Sequence, residues 1–362
     1  MKSTKPAEWS GEALGSAWPS PGGDGRLATA PLAQAGMLPV RRAITRIAGK
    51  VRVACGAFEW LALAYLASTS ALFLVFAANL RHPYLLIGTQ LSAATVILWL
   101  ALVHARATAG DPAGEKLSTG WWHYWRHWYP HLFFLFCFEE LAHLMTIVTP
   151  RWQDPHLMAF DHWLTGVHPS VWLEQFATPA RNEFMQAVYL SYFTYLLIVG
   201  LVLYVRREWY AYWSVMTYSM AGYMIGYFIA MFFPVESPWF AMAGWWKAPL
   251  AGGSVTATVN FLEYFGRVRG AAFPSEHVAG AVAALWGAWR FRRWLFWAML
   301  PLFLCMCVST VWGRYHYVAD VFAGLLTGTL GCWIGSWFMS RRGALPPQRE
   351  TDTTASTVPA AR

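Results

Sequence analysis

Long apolar runs that carry almost no charge constrain this chain more than any other feature of its sequence. Of its 362 residues, 57% are hydrophobic and only 13% are charged, whereas about a quarter of the residues in an ordinary soluble domain are charged. A water-soluble fold could not bury so much apolar surface, so we expect the bilayer to be the solvent. Eight runs have roughly the length that a bilayer requires, namely 58–80, 84–104, 131–148, 185–205, 211–233, 275–290, 295–312 and 317–339. The sequence therefore predicts an all-α, polytopic membrane helix bundle.

The two ends of the chain differ from this apolar middle. Residues 1–57 contain much Pro, Gly, Ala and Ser with scattered charge, and residues 341–362 have a similar composition. Such compositions are typical of flexible tails. No short apolar segment follows a basic start, so we do not expect a cleavable signal peptide. Two membrane helices with their connecting loop are predicted between residues 58 and 130.

Basic residues at the ends of the apolar runs indicate how the chain is oriented. With eight spans, every tight cluster falls on one side: Arg41 to Arg52 before the first run, Arg206 and Arg207, Arg290 to Arg293, and Arg341 and Arg342. The positive-inside rule places that side, with both termini, in the cytoplasm. The segments 149–184, 234–274 and 313–316 would then lie on the outer face, which is periplasmic in a bacterial inner membrane. Because the formal charge of +8 is spread over these clusters, nucleic acid is not an expected partner.

A serine and a histidine stand at the outer start of the sixth predicted helix, in the stretch Pro274-Ser275-Glu276-His277. Serine is a good helix N-cap, so capping alone would account for its position. The free amides of a helix start would also face an anion, and His277 could protonate a departing alkoxide. Capping and half of a phosphate-handling site are both consistent with this stretch taken alone.

A second pair of polar residues opens the eighth predicted helix in the stretch "GRYHYVAD". His316 and Asp320 are four residues apart, which puts them on one helix face within hydrogen-bonding reach. A carboxylate that accepts a hydrogen bond from one imidazole nitrogen fixes the tautomer and leaves the other nitrogen free to attack. The spacing alone occurs often by chance. Its combination with Pro-Ser-x-His, both at outer helix starts, favours catalysis.

Other polar residues in or near the apolar runs suggest structural roles. Glu139, Glu140 and His143 include a Glu-x-x-His, which is half of a di-iron pattern, but a second half is missing and we expect polar contacts within the bundle instead of a metal. The five cysteines lie in or beside apolar segments and predict neither disulfides nor a metal site. Pro130 is expected to interrupt the helical spacing of His123, His127 and His131. The segment 154–184 fits amphipathic helices on the outer leaflet, and it also fits a lid that guides lipid headgroups.

The motif residues resemble those of the type-2 phosphatidic acid phosphatase superfamily. "FPSEH" is similar to its second motif and "GRYHYVAD" to the core of its third, and the likeness is strongest to the inositol-phosphorylceramide-synthase-like branch. The resemblance covers about residues 234–328 by motif and 130–340 by layout. It implies a six-helix catalytic bundle at 131–340 and metal-independent phosphoryl transfer through a phosphohistidine. It further implies that His316 is the nucleophile, Asp320 its orienter and His277 the general acid.

Two departures from the family pattern concern the phosphate-binding cations. The first motif, Lys-x6-Arg-Pro, is absent because no Arg-Pro occurs in the chain, and the usual Ser-Arg of the third motif reads Ser309-Thr310. The sequence offers Arg314, Arg269, Arg267 and Lys247 as replacements, with Ser275 as a further phosphate contact.

The resemblance implies an enzyme that needs no cofactor and acts on a lipid substrate within the bilayer. The first expectation is a phosphatase that hydrolyses a lipid phosphate or pyrophosphate at the outer face. The alternatives are a phosphotransferase that moves a phospho-headgroup to a lipid alcohol, and a non-catalytic lipid-binding protein. A haloperoxidase is disfavoured by the membrane spans, and a transporter by the position of the motifs at helix starts instead of at the membrane midplane.

Overall fold

The computed structural model describes residue 42, residues 45–108 and residues 120–342. Most of the predicted tails at 1–57 and 341–362 lies outside the described residues, although residues 45–54 of the first are helical. From residue 57 onwards the described chain forms helices and contains no β-strand beyond one isolated bridge. The prediction of an all-α bundle is confirmed.

The helices follow one another in this order: α1 (Ala57–Val75), α2 (Pro83–Thr108), α3 (Gly120–Leu144), α4 (Asp154–Thr165), α5 (Pro169–Leu173), α6 (Pro179–Leu190), α7 (Tyr192–Val205), α8 (Trp209–Phe232), α9 (Pro238–Ala241), α10 (Ser254–Gly266), α11 (Glu276–Phe291), α12 (Arg293–Trp312) and α13 (Val318–Arg342). Short 3₁₀ turns at Ala77–Asn79, Glu174–Phe176 and Ala243–Trp245 connect some of them.

Six segments of the described chain are long and apolar enough to cross a membrane: Ala57–Val75, Pro83–Arg106, Pro179–Val205, Trp209–Phe232, Arg293–Trp312 and Val318–Arg341. The protein is therefore an integral membrane protein. The other two predicted spans correspond to α3 and α11, which do not meet the same criteria. Helix α11 has only 16 residues, fewer than the roughly 20 that a bilayer requires, and α3 begins with a run of Trp, His, Tyr and Arg.

Helix α3 runs without a break across the predicted boundary at residues 130–131, with Pro130 in its interior. The expectation that Pro130 interrupts the helix is wrong, because neighbouring helices stabilise a proline-containing helix inside a membrane protein. A buried ion pair ties α3 to α1: Arg126 Nη2 lies 2.5 Å from Glu59 Oε1. The Arg126 guanidinium also stacks over the Trp213 ring of α8, 4.2 Å from its centroid. These contacts attach the first helix to the rest of the bundle.

Helix α13 lies against α8 and α11 along a row of glycines that permits very close backbone approach. A Cβ atom added to Gly331 would lie 2.4 Å from the backbone nitrogen of Gly222 on α8. A Cβ added to Gly324 would lie 2.5 Å from the carbonyl oxygen of Ser275, at the start of α11. Small residues at such crossings let membrane helices pack closely. The row therefore sets the distance between the two motif-bearing helix starts.

Acidic side chains of α4 anchor the loops around those helix starts. Asp161 accepts hydrogen bonds from the amides of Val318 and Ala319, both 2.9 Å long, and so caps α13. Asp154 accepts from the Ser237 amide at 3.2 Å and the Tyr317 hydroxyl at 3.0 Å. Ser237 has φ of 99°, a backbone region that favours glycine, so this bond helps to hold a strained residue. Helix α4 thus positions the backbone on both sides of the candidate site.

Helices α4 and α5 expose large aromatic side chains, as the amphipathic pattern of 154–184 predicts. Trp163 is 76% and Trp172 is 47% exposed. Beside them, Glu174 accepts hydrogen bonds from the amides of Lys247 and Ala248. One face of this segment is therefore apolar and open, and Glu174 binds the loop that contains Lys247 and Ala248.

Candidate active site

Two loops and two helix starts form the framework of the site. A parallel bridge pairs Val235 with Ala271, with the Val235 amide donating to Gly270 (2.9 Å) and the Ala272 amide to Val235 (3.1 Å). The Ser275 amide donates to the carbonyl of Asp320 at 3.0 Å. This last bond links the start of α11 directly to the first turn of α13. The two motifs, which are far apart in the sequence, are therefore neighbours.

The predicted contact between His316 and Asp320 is present. His316 Nδ1 lies 3.1 Å from Asp320 Oδ2 and 2.9 Å from the carbonyl oxygen of Ala272. Both partners are acceptors, so Nδ1 carries the proton and Nε2 carries the lone pair. The Tyr317 amide donates to the same carboxylate oxygen at 2.8 Å. Burial lowers the pKa of His316 to about 4, so its Nε2 is unprotonated and nucleophilic at neutral pH.

His277 faces the lone pair of His316 across a short distance. The two nitrogens, His277 Nδ1 and His316 Nε2, are 2.9 Å apart, and the rings meet edge to face with centroids 5.1 Å apart. A phosphorus atom cannot occupy the space between hydrogen-bonded nitrogens. The His277 ring must therefore turn away from His316 before a phosphoryl group can reach it.

Ser275 sits at the N-cap of α11, yet its hydroxyl forms no cap hydrogen bond. The side chain is fully buried and its Oγ has no hydrogen-bond partner in the described part of the chain. The first intrahelical bond of α11 runs from the Ala279 amide to the Ser275 carbonyl, so the amides of residues 276–278 are not used within the helix. A buried hydroxyl and free helix-start amides together suit an anion.

Arg314 lies two residues before His316 and is buried, with 4% of its surface exposed. Its Nη2 donates to the Ala248 carbonyl at 3.0 Å and to Glu174 Oε1 at 3.3 Å, and its guanidinium stacks on Trp246 at 4.1 Å. Burial lowers the pKa of Arg314 from its usual value, and Glu174 opposes that shift. Its Nε has no partner among the described residues. A cavity of about 360 Å³ opens beside this side chain, with Trp239 and Lys247 among its lining residues.

Two of the other predicted cations, Arg267 and Arg269, also contact carboxylates. Arg267 Nε donates to Glu263 Oε2 at 2.8 Å, and its guanidinium lies over the Tyr315 ring. Arg269 pairs with Glu236, and its side chain is 60% exposed. The structure thus brings His277, His316, Asp320 and Ser275 together, places Arg267 over Tyr315, and leaves Arg269 at the periphery. The described contacts of the Arg314 side chain are with Ala248, Glu174 and Trp246.

Several residues of the site carry no recognisable motif. The hydroxyl of Tyr189, on α6, lies 3.1 Å from His277 Nε2. The same hydroxyl donates a hydrogen bond to Glu263 Oε1 at 2.6 Å. Asp154 and Asp161 support the surrounding loops. Asp154 and Asp161 are seven residues apart on an amphipathic segment, which puts both on one helix face. This spacing was the only sequence signal for either aspartate. Nothing in the local sequence distinguished Tyr189 or Glu263.

The intramembrane carboxylates of α3 lie apart from this site. Glu140 is buried and contacts the Gln90 side chain of α2, a polar contact of the kind predicted for the bundle. Among the described residues, no group of three or more His, Cys, Asp or Glu side chains is arranged to hold a metal ion.

Comparison with known proteins agrees with the motif resemblance at the level of the superfamily. Residues 155–334, nearly half of the chain, match the family model of the PAP2 superfamily. Members of this superfamily are generally phosphoesterases, so the match supports an enzyme of the phosphatase or phosphotransferase type. Neither a curated protein nor a solved structure matches the chain. The matched segment contains all the catalytic and phosphate-binding residues that the sequence predicted between Arg267 and Asp320, whereas Asp154 lies just before it.

Proposed function

We propose that the protein is a lipid phosphatase that hydrolyses a lipid phosphate or pyrophosphate at the outer membrane face through a phosphohistidine. The observation that carries the proposal is the His316 imidazole, whose Nδ1 is engaged by Asp320 and Ala272 and whose unprotonated Nε2 faces a second histidine. An orienting carboxylate, a nucleophilic nitrogen and an adjacent proton donor are the parts that such a reaction needs.

In the first step His316 Nε2 attacks phosphorus, a nitrogen–phosphorus bond forms, and the bond from phosphorus to the leaving oxygen breaks. His277 gives its Nδ1 proton to that oxygen, which departs as an alcohol from a lipid phosphate or as a lipid monophosphate from a pyrophosphate. In the second step water attacks phosphorus and loses a proton to His277 as the nitrogen–phosphorus bond breaks. Inorganic phosphate and the original protonation states result. Each bond and proton is thereby accounted for without a metal or cofactor.

The phosphate oxygens need hydrogen-bond donors that are not already bonded to other groups of the protein. Ser275 Oγ and Arg314 Nε are both buried and without partners in the described chain, and the α11 amides lie beside Ser275. We propose that these groups hold the phosphate, where preorganised donors stabilise the developing charge. Binding of the phosphate by Arg314 would compete with its contact to Glu174. Arg267 and Arg269 remain proposed contributors of positive charge around the site.

A phosphotransferase is the second candidate, in which a lipid alcohol replaces water. The burial of the site favours it: His316 is 3% exposed, and aromatic rings of Tyr189 and Tyr192 pack against His277. Restricted access of water would favour an alcohol acceptor delivered from the bilayer. The absence of the Lys-x6-Arg-Pro motif agrees with this alternative.

The site is proposed to face the periplasm of a bacterial inner membrane, with both termini in the cytoplasm. The support is the one-sided distribution of the basic clusters together with the helix starts, since α11 and α13 begin at the opposite end from Arg290 and Arg341. Labelling of single cysteines in intact cells tests the orientation. Position 163, exposed on α4, should react with a membrane-impermeant maleimide, whereas position 206 should not.

The decisive experiment compares turnover by the purified, detergent-solubilised protein with that of His316→Ala, without added metal. Phosphatidic acid, phosphatidylglycerol phosphate, isoprenyl pyrophosphate and phosphatidylinositol serve as donors, each with and without diacylglycerol or ceramide. Release of inorganic phosphate that His316→Ala abolishes supports the phosphatase, and a new phosphodiester lipid without free phosphate supports the transferase. His162→Ala, an exposed outer histidine on α4, is the matched control and should retain activity. Equal turnover by His316→Ala and the unaltered protein would refute the proposal.

A further inference from the structure

A continuous series of hydrogen bonds extends from the catalytic histidines to a glutamate outside the recognised motifs. Asp320 contacts His316, His316 contacts His277, and His277 Nε2 lies 3.1 Å from the Tyr189 hydroxyl. That hydroxyl donates to Glu263 Oε1 at 2.6 Å, and Glu263 Oε2 accepts from Arg267 Nε at 2.8 Å. The links come from α6, α10, α11 and α13, so no local sequence pattern generates them.

The protons in this series can be assigned by matching donors to acceptors. Glu263 accepts from Arg267, so it is held as a carboxylate, and the single proton of the Tyr189 hydroxyl is therefore donated to Glu263. The Tyr189 oxygen is then an acceptor toward His277, so His277 Nε2 carries a proton. The other nitrogen, Nδ1, faces the lone pair of His316 Nε2 and must also donate. Both ring nitrogens of His277 are therefore donors, which describes an imidazolium.

Burial and the neighbouring His316 lower the pKa of His277 to about 3, and the Glu263 charge opposes that shift. The protonated form therefore depends on the acceptors and the negative charge that face the ring. The groups that face it are the hydroxyl of Tyr189 on α6, the ring of Tyr192 on α7, the Glu263 carboxylate of α10 behind Tyr189, and the neutral His316. Tyr315 stacks on Tyr189 with ring centroids 4.3 Å apart, and it also lies under the Arg267 guanidinium. Glu263 is thus the one carboxylate whose charge reaches the imidazolium along this path, as the counter-ion of a charged histidine would.

We propose that Tyr189 and Glu263 are positioning residues for the general acid: they hold His277 through Nε2, keep it protonated, and direct its Nδ1 proton at the leaving oxygen. The assignment rests on the proposed function and deepens it. The two histidines are then held through different ring nitrogens and present different ring nitrogens to the substrate. Asp320 holds Nδ1 of His316 and exposes Nε2, whereas Tyr189 holds Nε2 of His277 and exposes Nδ1. Because Tyr189 attaches at the far nitrogen, the His277 ring can turn about that contact when a phosphoryl group enters.

Leaving groups of different basicity test the proposal. An alkyl alcohol needs a proton to depart, whereas nitrophenolate does not, so loss of general acid assistance affects only the first. The probes are dioctanoyl phosphatidic acid and para-nitrophenyl phosphate, and the release of the leaving group is followed in a single turnover. Tyr189→Phe and Glu263→Gln should slow the alkyl substrate by roughly 10- to 100-fold, within the range that general acids contribute. The same variants should change nitrophenyl release by less than about threefold, since that step needs no proton.

Three variants give the reference patterns. His277→Ala should show the same dependence on leaving group, and Asp320→Asn, which acts on the nucleophile, should slow both substrates alike. Tyr192→Phe alters a tyrosine whose ring touches His277 at 4.2 Å between centroids but which donates no described hydrogen bond to it, and it should leave both rates near those of the unaltered protein. Equal slowing of both substrates by Tyr189→Phe, or of neither, would overturn the positioning role. Retention of both activities by His316→Ala would instead refute the proposed function.

Two measurements separate positioning from a general loss of structure. In Glu263→Gln the amide oxygen can still accept from Tyr189, but the counter-charge is gone, so the alkaline limb of kcat for the alkyl substrate should move to lower pH. Nitrogen-15 solid-state NMR of histidine-labelled protein, with the signals of His277 identified by their loss in His277→Ala, should show Nε2 protonated. This second readout requires no turnover. An unprotonated Nε2 at neutral pH, or an unmoved alkaline limb, would contradict the proposal.

Discussion

Replacing Gly324 by alanine should separate the two halves of the site. The added Cβ would lie 2.5 Å from the Ser275 carbonyl oxygen, about 0.9 Å inside the 3.4 Å at which ordinary contact begins, and 2.9 Å from the Val278 Cβ. Neither neighbour is the end of a flexible side chain, so α11 and α13 must move apart. Displacing reacting groups by about 1 Å can cost roughly 100-fold in rate, and we expect a fall in kcat of that order.

The effect of Gly324→Ala on stability should be much smaller than its effect on rate. Overpacking a buried contact costs about 1–3 kcal/mol, and the better helix propensity of alanine offsets about 1 kcal/mol of that. We therefore expect a free energy of unfolding lower by roughly 0–2 kcal/mol. The assay pairs single-turnover phosphate release with thermal unfolding in the same detergent.

Gly222→Ala provides the matched control for this prediction. It makes the same chemical change on α8, against the same helix, but its nearest atom is the Gly328 Cα at 3.6 Å, an ordinary contact distance. It should be neutral in rate and slightly stabilising. If Gly324→Ala turned over as fast as Gly222→Ala, the glycine row would not set the distance between the histidine-bearing helix starts.

Three further predictions concern titration, the cap of α13 and the buried ion pair between α1 and α3. Burial lowers the pKa of His316 to about 4, so protonation of this histidine favours the unfolded chain. The stability that the neutral His316 contributes is therefore complete above about pH 6.5 and is lost as the pH falls toward 4. The acid limb of kcat/KM should likewise lie near pH 4, and a limb near 6.5 would contradict the burial argument. Asp161→Ala removes the carboxylate that accepts two amide hydrogen bonds at the start of α13, and it should lower the free energy of unfolding by about 2–4 kcal/mol, with Asp161→Asn near half of that. Identical melting of all three proteins would argue against the cap. Arg126→Leu leaves the Glu59 charge buried and should cost about 3–5 kcal/mol, which a second substitution, Glu59→Leu, should largely restore; a double variant no more stable than Arg126→Leu would refute this account of the pair.

The sequence predicted well those features that depend on local spacing or on composition. Long uncharged runs require a bilayer whatever the tertiary structure, and the four-residue interval of His316 and Asp320 places both on one helix face before any packing is considered. The start of α11 at Glu276 also agrees with its N-cap serine. Composition was a poorer guide for the predicted third and sixth spans, because α3 is rich in Trp, His and Tyr, and α11 is short and enclosed by other helices.

The environment of the predicted cations could not be read from their positions in the chain. Arg314, Arg267 and Arg269 were selected by their closeness to the motifs in sequence, yet each contacts a glutamate from another part of the structure. The sequence indicates no partner for these arginines, but in the folded protein a glutamate partly neutralises the charge of each. For Arg314 that partner, Glu174, comes from the segment between α5 and α6.

What the sequence by itself determined is membrane residence, the all-α class, and the placement of His316 and Asp320 on one helix face, because each depends on composition or on neighbours within about one helical turn. Only the tertiary structure decided that His277 meets His316, and that Tyr189 and Glu263 stand behind His277. Those contacts join residues between 39 and 88 positions apart in the chain. The physical reason is that helix packing sets such distances: the glycine row of α13 determines how closely the helix starts approach, and the carboxylates of α4 fix the loops that face each other there.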